Sequence, residues 1–350
     1  MTSLTKVAIA TRKGIRYFFY LVILGIFLKI SIDIGSSIYK RIFPAPPPAP
    51  TVAFGKIPPI SFPENKGLPQ FNYTVETTEG SFPSLSQQTK VYYMPKLSSN
   101  LLALELARQK ALGLGFVSEG EKVSETVYKF TNPRNASKME INIVTGSFSI
   151  SYDLASDTTP LSKRPPIAQT AESLVRTFLA NGGTLPDDLT GKAKYQFLKT
   201  EVQQLVPALS LSEANLIRIS LFRKSLDDLP SMPADPIKGN VWFIVSGDTS
   251  RDKQIIAGEY RYFPLDETQA STYPLKTAGQ AFEDLKAAKG YVASLGNNSD
   301  GNVVIRRIYL AYYDPNLPDN FYQPIIVFEG DRNFVAYVPA VTDAFINLSK

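Results

Sequence analysis

The sequence predicts an α+β fold in which an N-terminal transmembrane helix and a proline-rich linker precede repeated units of one helix and an antiparallel sheet. Three observations lead to this prediction. Apolar residues fill one stretch near the N-terminus, prolines are concentrated directly after it, and three amphipathic helix patterns are each followed by several strand patterns. Runs of strands after a helix are typical of α+β proteins rather than of parallel α/β proteins.

The apolar stretch predicts a single membrane-spanning helix. About 20 mostly apolar residues cross a bilayer, and residues 15–38 supply this length after a basic tail at residues 1–14. Lys29 and Asp33 interrupt the stretch one helical turn apart, so they form a candidate intramembrane pair or a polar contact with a partner helix. Alternatively, the hydrocarbon core ends near Leu28 and both charges lie at the outer interface.

The distribution of charge predicts the orientation of this helix. Residues 1–41 contain seven basic residues and one acidic residue, whereas the rest of the chain contains 30 and 31. The basic flank favours a cytoplasmic N-terminus and an extracytoplasmic C-terminal part. We therefore predict a single-pass cell-membrane protein with an uncleaved signal anchor, and a cleaved signal peptide is the alternative. The balanced remainder lacks the charge pattern of a nucleic-acid-binding domain, so the predicted partners include the lipid bilayer but no nucleic acid.

Prolines separate the anchor from the rest of the chain. Nine of the 26 prolines lie between Pro44 and Pro69, which predicts a linker over residues 39–69. Such segments favour the extended polyproline II conformation. We expect part of this linker, at residues 55–60, to lie on the surface of the domain that follows.

Helix patterns divide the remaining chain into two predicted α+β domains, at residues 70–160 and 161–350. The first contains an amphipathic pattern at 101–112. The second contains two such patterns, at 167–180 and 277–289, and the last of these begins with a Thr-x-x-Gln capping box.

Strand patterns with alternating apolar residues precede the first of these helices and follow all three. They are predicted at 71–77, 90–94, 126–130, 138–144, 147–152, 192–200, 215–224, 241–245, 254–263, 303–313, 322–328 and 333–339. Two groups of strands share short sequence blocks in the same order, such as Trp242–Asp248 and Ile325–Asp331. We therefore predict two related sheet units in the second domain, at about 192–263 and 277–339.

Cysteine and histidine are both absent from the chain. This composition excludes disulfides, thiolate zinc sites and nucleophiles activated by histidine. Two adjacent carboxylate pairs, Asp187–Asp188 and Asp227–Asp228, lie in turn-like stretches where such residues are usually solvated. No residue is assigned a catalytic, cofactor-binding or metal-binding role, no cofactor is predicted, and we expect a protein that is not an enzyme.

Aromatic residues are concentrated near the C-terminus. In alternating strands about half of them face the core and half face the opposite side of the sheet, where exposed rings are good anchors for a partner protein. Alternatively, a helix covers one face and tyrosine hydroxyls contact water on the other. The candidate partner-binding residues are Tyr309, Tyr312, Tyr313, Phe321, Tyr322 and Tyr337.

Four segments of the second domain, mainly within residues 270–340, form a recognisable series, namely Tyr273–Ala278, Lys289–Tyr291, Leu310–Tyr313 and Gln323–Phe328. This series resembles PepSY-like modules, and the similarity is greatest to the YycH/YycI family of membrane-anchored extracytoplasmic regulators. The resemblance implies an N-terminal membrane helix, extracytoplasmic helix-and-hairpin units and no catalysis. It also implies that the protein modulates a sensor kinase through protein contacts. The proline-rich linker is a departure from the family pattern.

Together these features predict a bacterial protein with a binding or regulatory role in the cell envelope, whose partner is an envelope protein such as a sensor kinase. Two other functions stay open at the level of the sequence. A hydrolase acting on the cell wall requires two carboxylates that converge in a cleft. A structural component of the envelope, such as a stalk, requires a self-complementary surface.

Overall fold

A computed structural model gives the structure of the protein and describes residues 3–42, 48–97, 102–117, 119–202 and 204–347. The chain divides into two compact units, Met1–Ala49 and Pro50–Lys350. We call the second unit the main domain. The predicted fold class is confirmed, because an apolar N-terminal helix precedes a domain in which helices are combined with mainly antiparallel sheets.

The first unit contains helix α1 (Ser3–Ile42). Its stretch Ile9–Ser36 is long and apolar enough to cross a membrane, and it contains most of the anchor predicted at residues 15–38. Lys29 and Asp33 lie one helical turn apart on α1, and both side chains are exposed. Pairing between them inside a bilayer stays a prediction.

Three helices of the main domain lie where the sequence predicts them. They are α2 (Ala103–Gly113), α3 (Ala168–Asn181) and α4 (Ala278–Lys286). The predicted capping box of α4 is present, because the Gln280 backbone N–H donates to the Thr277 hydroxyl at 3.2 Å and the Thr277 backbone N–H donates to Gln280 Oε1 at 2.9 Å. These bonds satisfy two backbone donors at the start of the helix.

The strands of the main domain are, in chain order, β1 (Asn72–Val75), β2 (Gln88–Tyr93), β3 (Glu121–Lys122), β4 (Val127–Thr131), β5 (Ser137–Asn142), β6 (Phe148–Tyr152), β7 (Lys194–Glu201), β8 (Gln204–Pro207), β9 (Leu216–Leu221), β10 (Ser231–Pro233), β11 (Val241–Val245), β12 (Ile255–Tyr260), β13 (Asp266–Pro274), β14 (Tyr291–Ser294), β15 (Asn302–Asp314), β16 (Phe321–Tyr322), β17 (Pro324–Gly330) and β18 (Phe334–Pro339). They form one nine-stranded, one six-stranded and one three-stranded sheet within the described residues.

The nine-stranded sheet has the order β3–β4–β5–β6–β12–β11–β9–β7–β8, and its neighbours are antiparallel. Helices α2 and α3 pack on one face of it. A Cβ atom at Gly113 would lie 2.4 Å from the carbonyl oxygen of Asn181, so glycine is needed where the two helices meet. Residue 160, where we predicted a domain boundary, lies between β6 and β7 of this one sheet.

The six-stranded sheet has the order β1–β15–β17–β18–β14, and β10 also pairs with β15. Strands β1 and β10 run parallel to β15, and the other neighbours are antiparallel. Helix α4 packs on one face, where Ala281, Phe282 and Leu285 join the core. The three-stranded sheet, β13–β2–β16, lies next to this core and is antiparallel.

The three long strands of the two predicted sheet units have the same order, but the two units lie in different sheets. In the first, the long strands β9, β11 and β12 form an antiparallel meander, and in the second β15, β17 and β18 do so. A short strand, β10 or β16, follows the first long strand in each case. Their common origin stays a prediction.

Much of the predicted linker belongs to the main domain. Ile57 is fully buried, and its backbone N–H donates to the carbonyl oxygen of Phe345 at 3.0 Å. The ring of Phe62 stacks on Tyr291 with a centroid distance of 5.4 Å. The packed part of the chain therefore begins near Pro50 rather than after residue 69.

Candidate functional site

One face of the nine-stranded sheet is apolar, and the other is polar over β5 and β6 but carries a buried apolar cluster with Leu198, Leu216 and Ile244 further along. Along β5, Met139 and Ile141 lie in the core beneath α2 and α3, whereas Lys138 and Glu140 point to the opposite side and are exposed. The two-residue period of a strand produces this division. We call the side opposite the helices the outer face.

The strand register aligns one row of side chains across the outer face. Each residue of the row is the direct cross-strand partner of the next, and neighbouring strands lie about 4.8 Å apart. The row consists of Lys129, Glu140, Ser149, Glu259, Trp242, Ser220 and Lys194. It therefore brings residues of seven strands, from both predicted domains, into one line.

A groove of about 350 Å³ lies between this row and the loop that follows β15. The row contributes Glu140, Ser149 and Glu259 to one side, and residues 316–318 of the loop form the other side. Leu317 is 56% exposed, so the loop presents an apolar side chain opposite a polar sheet. We call this cleft the sheet groove.

Trp242, the only tryptophan of the chain, lies beside the groove and is held by polar contacts. Its indole N–H donates to Glu259 Oε2 at 3.1 Å, and the Lys238 ammonium lies 4.1 Å from the ring centroid. Arg261 lies 3.5 Å from the second carboxylate oxygen of Glu259. A partly exposed aromatic ring in a fixed position is a common anchor in protein interfaces.

Glu140 differs from Glu259 in having no ion pair, because its cross-strand neighbour Lys129 pairs with Glu121 at 2.9 Å. The Glu140 side chain is exposed, and no lysine or arginine nitrogen of the described residues lies within 4.0 Å of its carboxylate. The sheet groove therefore contains one carboxylate that is already neutralised and one that is available to a cation from outside.

Nothing in the described part of the chain gathers three acidic side chains into a possible metal site. In the sheet groove, the Glu259 carboxylate already accepts the Trp242 N–H and lies next to Arg261. The groove thus suits a ligand with donor groups and apolar parts, such as a peptide.

A second polar cluster joins the two large sheets and is buried. The Arg223 side chain is 3% exposed, and it donates to Asp188 Oδ2 at 2.6 Å, to Asp314 Oδ1 at 2.8 Å and to the carbonyl oxygen of Phe263. The Tyr262 hydroxyl donates to the other oxygen of Asp188 at 2.8 Å. Because Arg223 follows β9 and Asp314 ends β15, one guanidinium connects the nine-stranded and six-stranded sheets.

Burial and charge act in opposite directions on the pKa values in this cluster. Burial raises the pKa of the Asp314 carboxyl, and this outweighs the lowering effect of the Arg223 charge. Burial by itself lowers the pKa of Arg223, but the carboxylates of Asp314 and Asp188 raise it by more, so the pKa lies above its ordinary value. The arginine is therefore a permanent cation that holds two carboxyl groups.

One residue of each adjacent carboxylate pair, Asp187–Asp188 and Asp227–Asp228, is bound by neighbouring side chains. Asp188 belongs to the Arg223 cluster. Asp227 instead accepts hydrogen bonds from the Tyr92 hydroxyl at 2.5 Å and from the Lys90 ammonium at 2.9 Å. One member of each pair is thus held by neighbouring side chains, contrary to the expectation that both would be solvated.

Most of the candidate aromatic residues lie in the interior. Four of them are at most 2% exposed, namely Tyr312, Tyr313, Tyr322 and Tyr337. Both faces of the six-stranded sheet are covered, one by α4 and the other partly by Ile60 and Phe62 from the predicted linker. The prediction that these residues form an exposed aromatic surface is therefore wrong for these four. Of the six candidates, Tyr309 and Phe321 are partly exposed.

Comparisons with known proteins give distant structural similarities alone. No protein-family model and no curated protein matches the chain. Among solved structures, an uncharacterized protein from Eubacterium rectale ATCC 33656 has a TM-score of 0.40 and 12% identity over 78% of this chain and 84% of that one. YycH from Bacillus subtilis has a TM-score of 0.35 and 13% identity over 75% of this chain. The match covers 55% of the YycH chain, so this chain spans about half the length of YycH. The expected PepSY relationship has no matching family model.

The sequence interpretation missed the residues that line the sheet groove. Glu140 and Glu259 lie in correctly predicted strands, and their polar positions alternate with buried apolar ones. This alternation assigns each residue to a face but gives no information on which strands are neighbours. Arg223 could not be recognised either, because a single arginine near the end of a predicted strand is usually solvated.

Proposed function

We propose that this protein is a single-pass envelope protein whose extracytoplasmic main domain binds another envelope protein through the sheet groove, without catalysing a reaction. Two features support the membrane topology. The stretch Ile9–Ser36 of α1 is apolar enough to cross a membrane, and four basic residues precede its apolar centre without an acidic one. In this topology the N-terminus is cytoplasmic and the main domain is outside.

The observation that carries the binding role is the exposed Glu140 in a groove that also has an apolar side. A partner segment with a lysine or arginine neutralises this carboxylate, and its apolar side chains contact Leu317. Trp242, fixed by Glu259 and Lys238, supplies a ring that loses little conformational freedom on binding. We therefore propose an extended, basic and partly apolar segment as the occupant.

The proposed partner is itself a membrane protein with an extracytoplasmic segment. Two proteins that are confined to one membrane meet at a high effective concentration, so a groove of modest size is sufficient for a specific contact. A sensor kinase, the partner implied by the sequence resemblance, is one member of this class.

Affinity purification of the full chain from native membranes tests this function. The wild-type protein is expected to retain an envelope protein, and E140K is expected to retain about tenfold less, because like charges then face each other in the groove. K138E is the matched control, since Lys138 lies on the outer face of the same strand but does not line the groove. Absence of an envelope protein from the wild-type sample, or equal recovery with E140K, contradicts the proposal.

A second candidate function rests on the two glutamates of the groove. Glu140 and Glu259 flank Ser149 in the row, so their strands are two positions apart and about 10 Å from each other. Glycosidases that invert configuration place two carboxyl groups at roughly 6.5–9.5 Å. The groove therefore also fits a hydrolase that acts on cell-wall glycans, although Glu259 is held by Trp242.

Release of reducing ends from purified cell-wall material distinguishes this second function from the first. Our proposal expects no release by the wild-type protein above the background of a blank. Hydrolysis by the wild type that is lost in both E140Q and E259Q establishes the enzyme instead.

A further inference from the structure

A second cavity lies on the outer face, at the opposite end of the row from the sheet groove. It has a volume of about 320 Å³ and lies over β7 and β9. Its lining includes Lys192, Lys194, Gln196, Arg218 and Ser220. Lys194 is paired with Ser220 and Gln196 with Arg218 in the strand register, so these side chains share one face. We call this cavity the basic pocket.

The basic pocket contains three cations and no carboxylate among its lining residues. Within the described ranges, no carboxylate oxygen lies within 4.0 Å of the charged nitrogens of Lys192, Lys194 or Arg218. Arg218 is half-buried, whereas Lys192 and Lys194 are exposed. Arg176, which is also half-buried, has such a partner in Glu172 at 2.8 Å. The positive charge of the pocket is therefore not neutralised by an ion pair among the described residues.

The donors of these side chains are largely unused. Arg218 donates through Nη2 to Gln196 Oε1 at 2.7 Å, whereas a guanidinium carries five N–H groups. Lys194 donates to the carbonyl oxygen of Pro236 at 2.6 Å and retains two further N–H groups. An anion in the pocket would meet donors of both kinds at once.

Burial adds to this preference for an anion. Partial burial lowers the pKa of Arg218 and of Lys194. The more distant Asp235 opposes this effect for Arg218, and Glu329 and Asp235 oppose it for Lys194. The ammonium of Lys194 also lies 5.2 Å from the ring centroid of Phe222. A bound anion offsets the cost of the partial burial of Arg218.

We propose that the basic pocket binds a phosphate group, as a free ion or as part of a phosphodiester. Three cations match a tetrahedral anion with more than one negative charge better than they match a single carboxylate, and arginine forms paired hydrogen bonds with phosphate oxygens. This site is separate from the sheet groove and does not depend on the function proposed for the groove. The phosphate can come from a soluble polymer or from a lipid headgroup.

Binding of inorganic phosphate to the full chain in a detergent without phosphate groups, measured by calorimetry at constant ionic strength, tests the site. The wild-type protein is expected to bind, and R218Q is expected to bind at least about tenfold more weakly, because it loses charge-assisted hydrogen bonds. K138M is the control, since Lys138 is exposed on the outer face four strands away from Arg218 in the sheet. If R218Q unfolds at a lower temperature than the wild type when no phosphate is present, K192M is used in its place. Lys192 is exposed, so its substitution is expected to leave the fold intact.

Two further arms identify the source of the phosphate. Binding of a soluble glycerol-phosphate oligomer that R218Q weakens assigns the pocket to a phosphodiester polymer. Retention on phosphatidylglycerol vesicles that R218Q weakens assigns it to a lipid headgroup. Equal binding by the wild type and by the folded pocket variant in all three arms overturns the proposal, as does a loss of the same size in K138M.

Discussion

A single buried arginine connects the two large sheets of the main domain. Arg223 binds two carboxyl groups and one backbone carbonyl oxygen, and it lies 4.1 Å from the ring centroid of Tyr262. Removing one partner of a buried ion pair is costly because the remaining charge is left without compensation. Here two carboxyl groups, of Asp188 and Asp314, depend on the same cation.

Substitution of this arginine tests that dependence. We expect R223M to lower the free energy of unfolding by about 3–5 kcal/mol, measured by denaturant unfolding of the full chain in detergent. R307M is the control, because Arg307 is 69% exposed and has one ion pair, with Glu329; its loss is expected to stay below about 1 kcal/mol. Losses of similar size in the two variants would contradict the structural role of Arg223.

Asp314 makes the stability of this cluster dependent on pH. Its pKa is raised above the ordinary value of 3.8 because it is buried, so the folded protein holds this proton more tightly than the unfolded chain. The stability contributed by this group is therefore greatest at low pH and decreases as the pH rises through the raised pKa.

Unfolding of the wild type and D314N between about pH 4 and about pH 8 measures this effect. The difference in unfolding free energy, D314N minus wild type, is expected to increase with pH, since the amide does not titrate. D300N serves as the comparison, because Arg332 lowers the pKa of the exposed Asp300 below its ordinary value, so this group stays ionised across the range and its difference is expected to be nearly constant. A D314N difference that is constant or that falls with pH contradicts the assignment.

At the scale of the elements, the turn at Asp227 and Asp228 shows what a local pattern predicts. Leu226 and Leu229 exchange two backbone hydrogen bonds of 2.9 Å, and both residues between them have positive φ, 50° and 62°. A two-residue hairpin of this type is tolerated by Asp and preferred by glycine at its second position. The sequence identifies the turn but gives no information on the Tyr92 and Lys90 contacts of Asp227.

Glycine substitutions separate the two roles of this turn. We expect D228G to raise the free energy of unfolding by about 0.5–1 kcal/mol, because the left-handed conformation is then unstrained. D227G is expected to lower it by about 1–3 kcal/mol, since the Tyr92 hydroxyl and Lys90 lose their acceptor. Destabilisation of equal size by both substitutions would show that the backbone conformation is not the dominant factor at Asp228.

The long helices and strands could be predicted from the sequence, whereas the short or polar strands could not. The capping box at Thr277 and the apolar period of α3 are local signals. Strand β13, Asp266–Pro274, is largely polar at its start and pairs with β2, about 180 residues earlier in the chain. Strand β10 has three residues and is held by β15, so its conformation depends on tertiary contacts.

At the scale of the whole molecule, the domain and linker boundaries predicted from the sequence differ from the boundaries of the sheets in the structure. Local composition predicts a linker over residues 39–69, but apolar side chains such as Ile57 and Phe62 lie between its prolines and pack against the main domain. A polyproline segment has no internal hydrogen bonds, so its backbone is free to bond to other elements. Pairing between β6 and β12 likewise joins residues on both sides of the predicted boundary at 160.

Truncation of one linker side chain tests whether this segment is part of the folded domain. We expect I57A to lower the free energy of unfolding by about 2–4 kcal/mol, because Ile57 is fully buried in the core beneath α4. K56A, at the exposed neighbouring position, is expected to change it by less than about 0.5 kcal/mol. A neutral I57A would indicate that the segment is a free linker.

The central claim is that the main domain binds an envelope protein in the sheet groove, and site-specific photo-crosslinking in intact membranes tests it most directly. A photoreactive phenylalanine analogue replaces Ser149, which is exposed in the groove, or Ser151, which lies on the same strand and face outside it. The account predicts one discrete envelope-protein adduct from position 149 that is weakened by E140K, and little or none from position 151. No adduct at 149, or the same adducts at both positions, would contradict it.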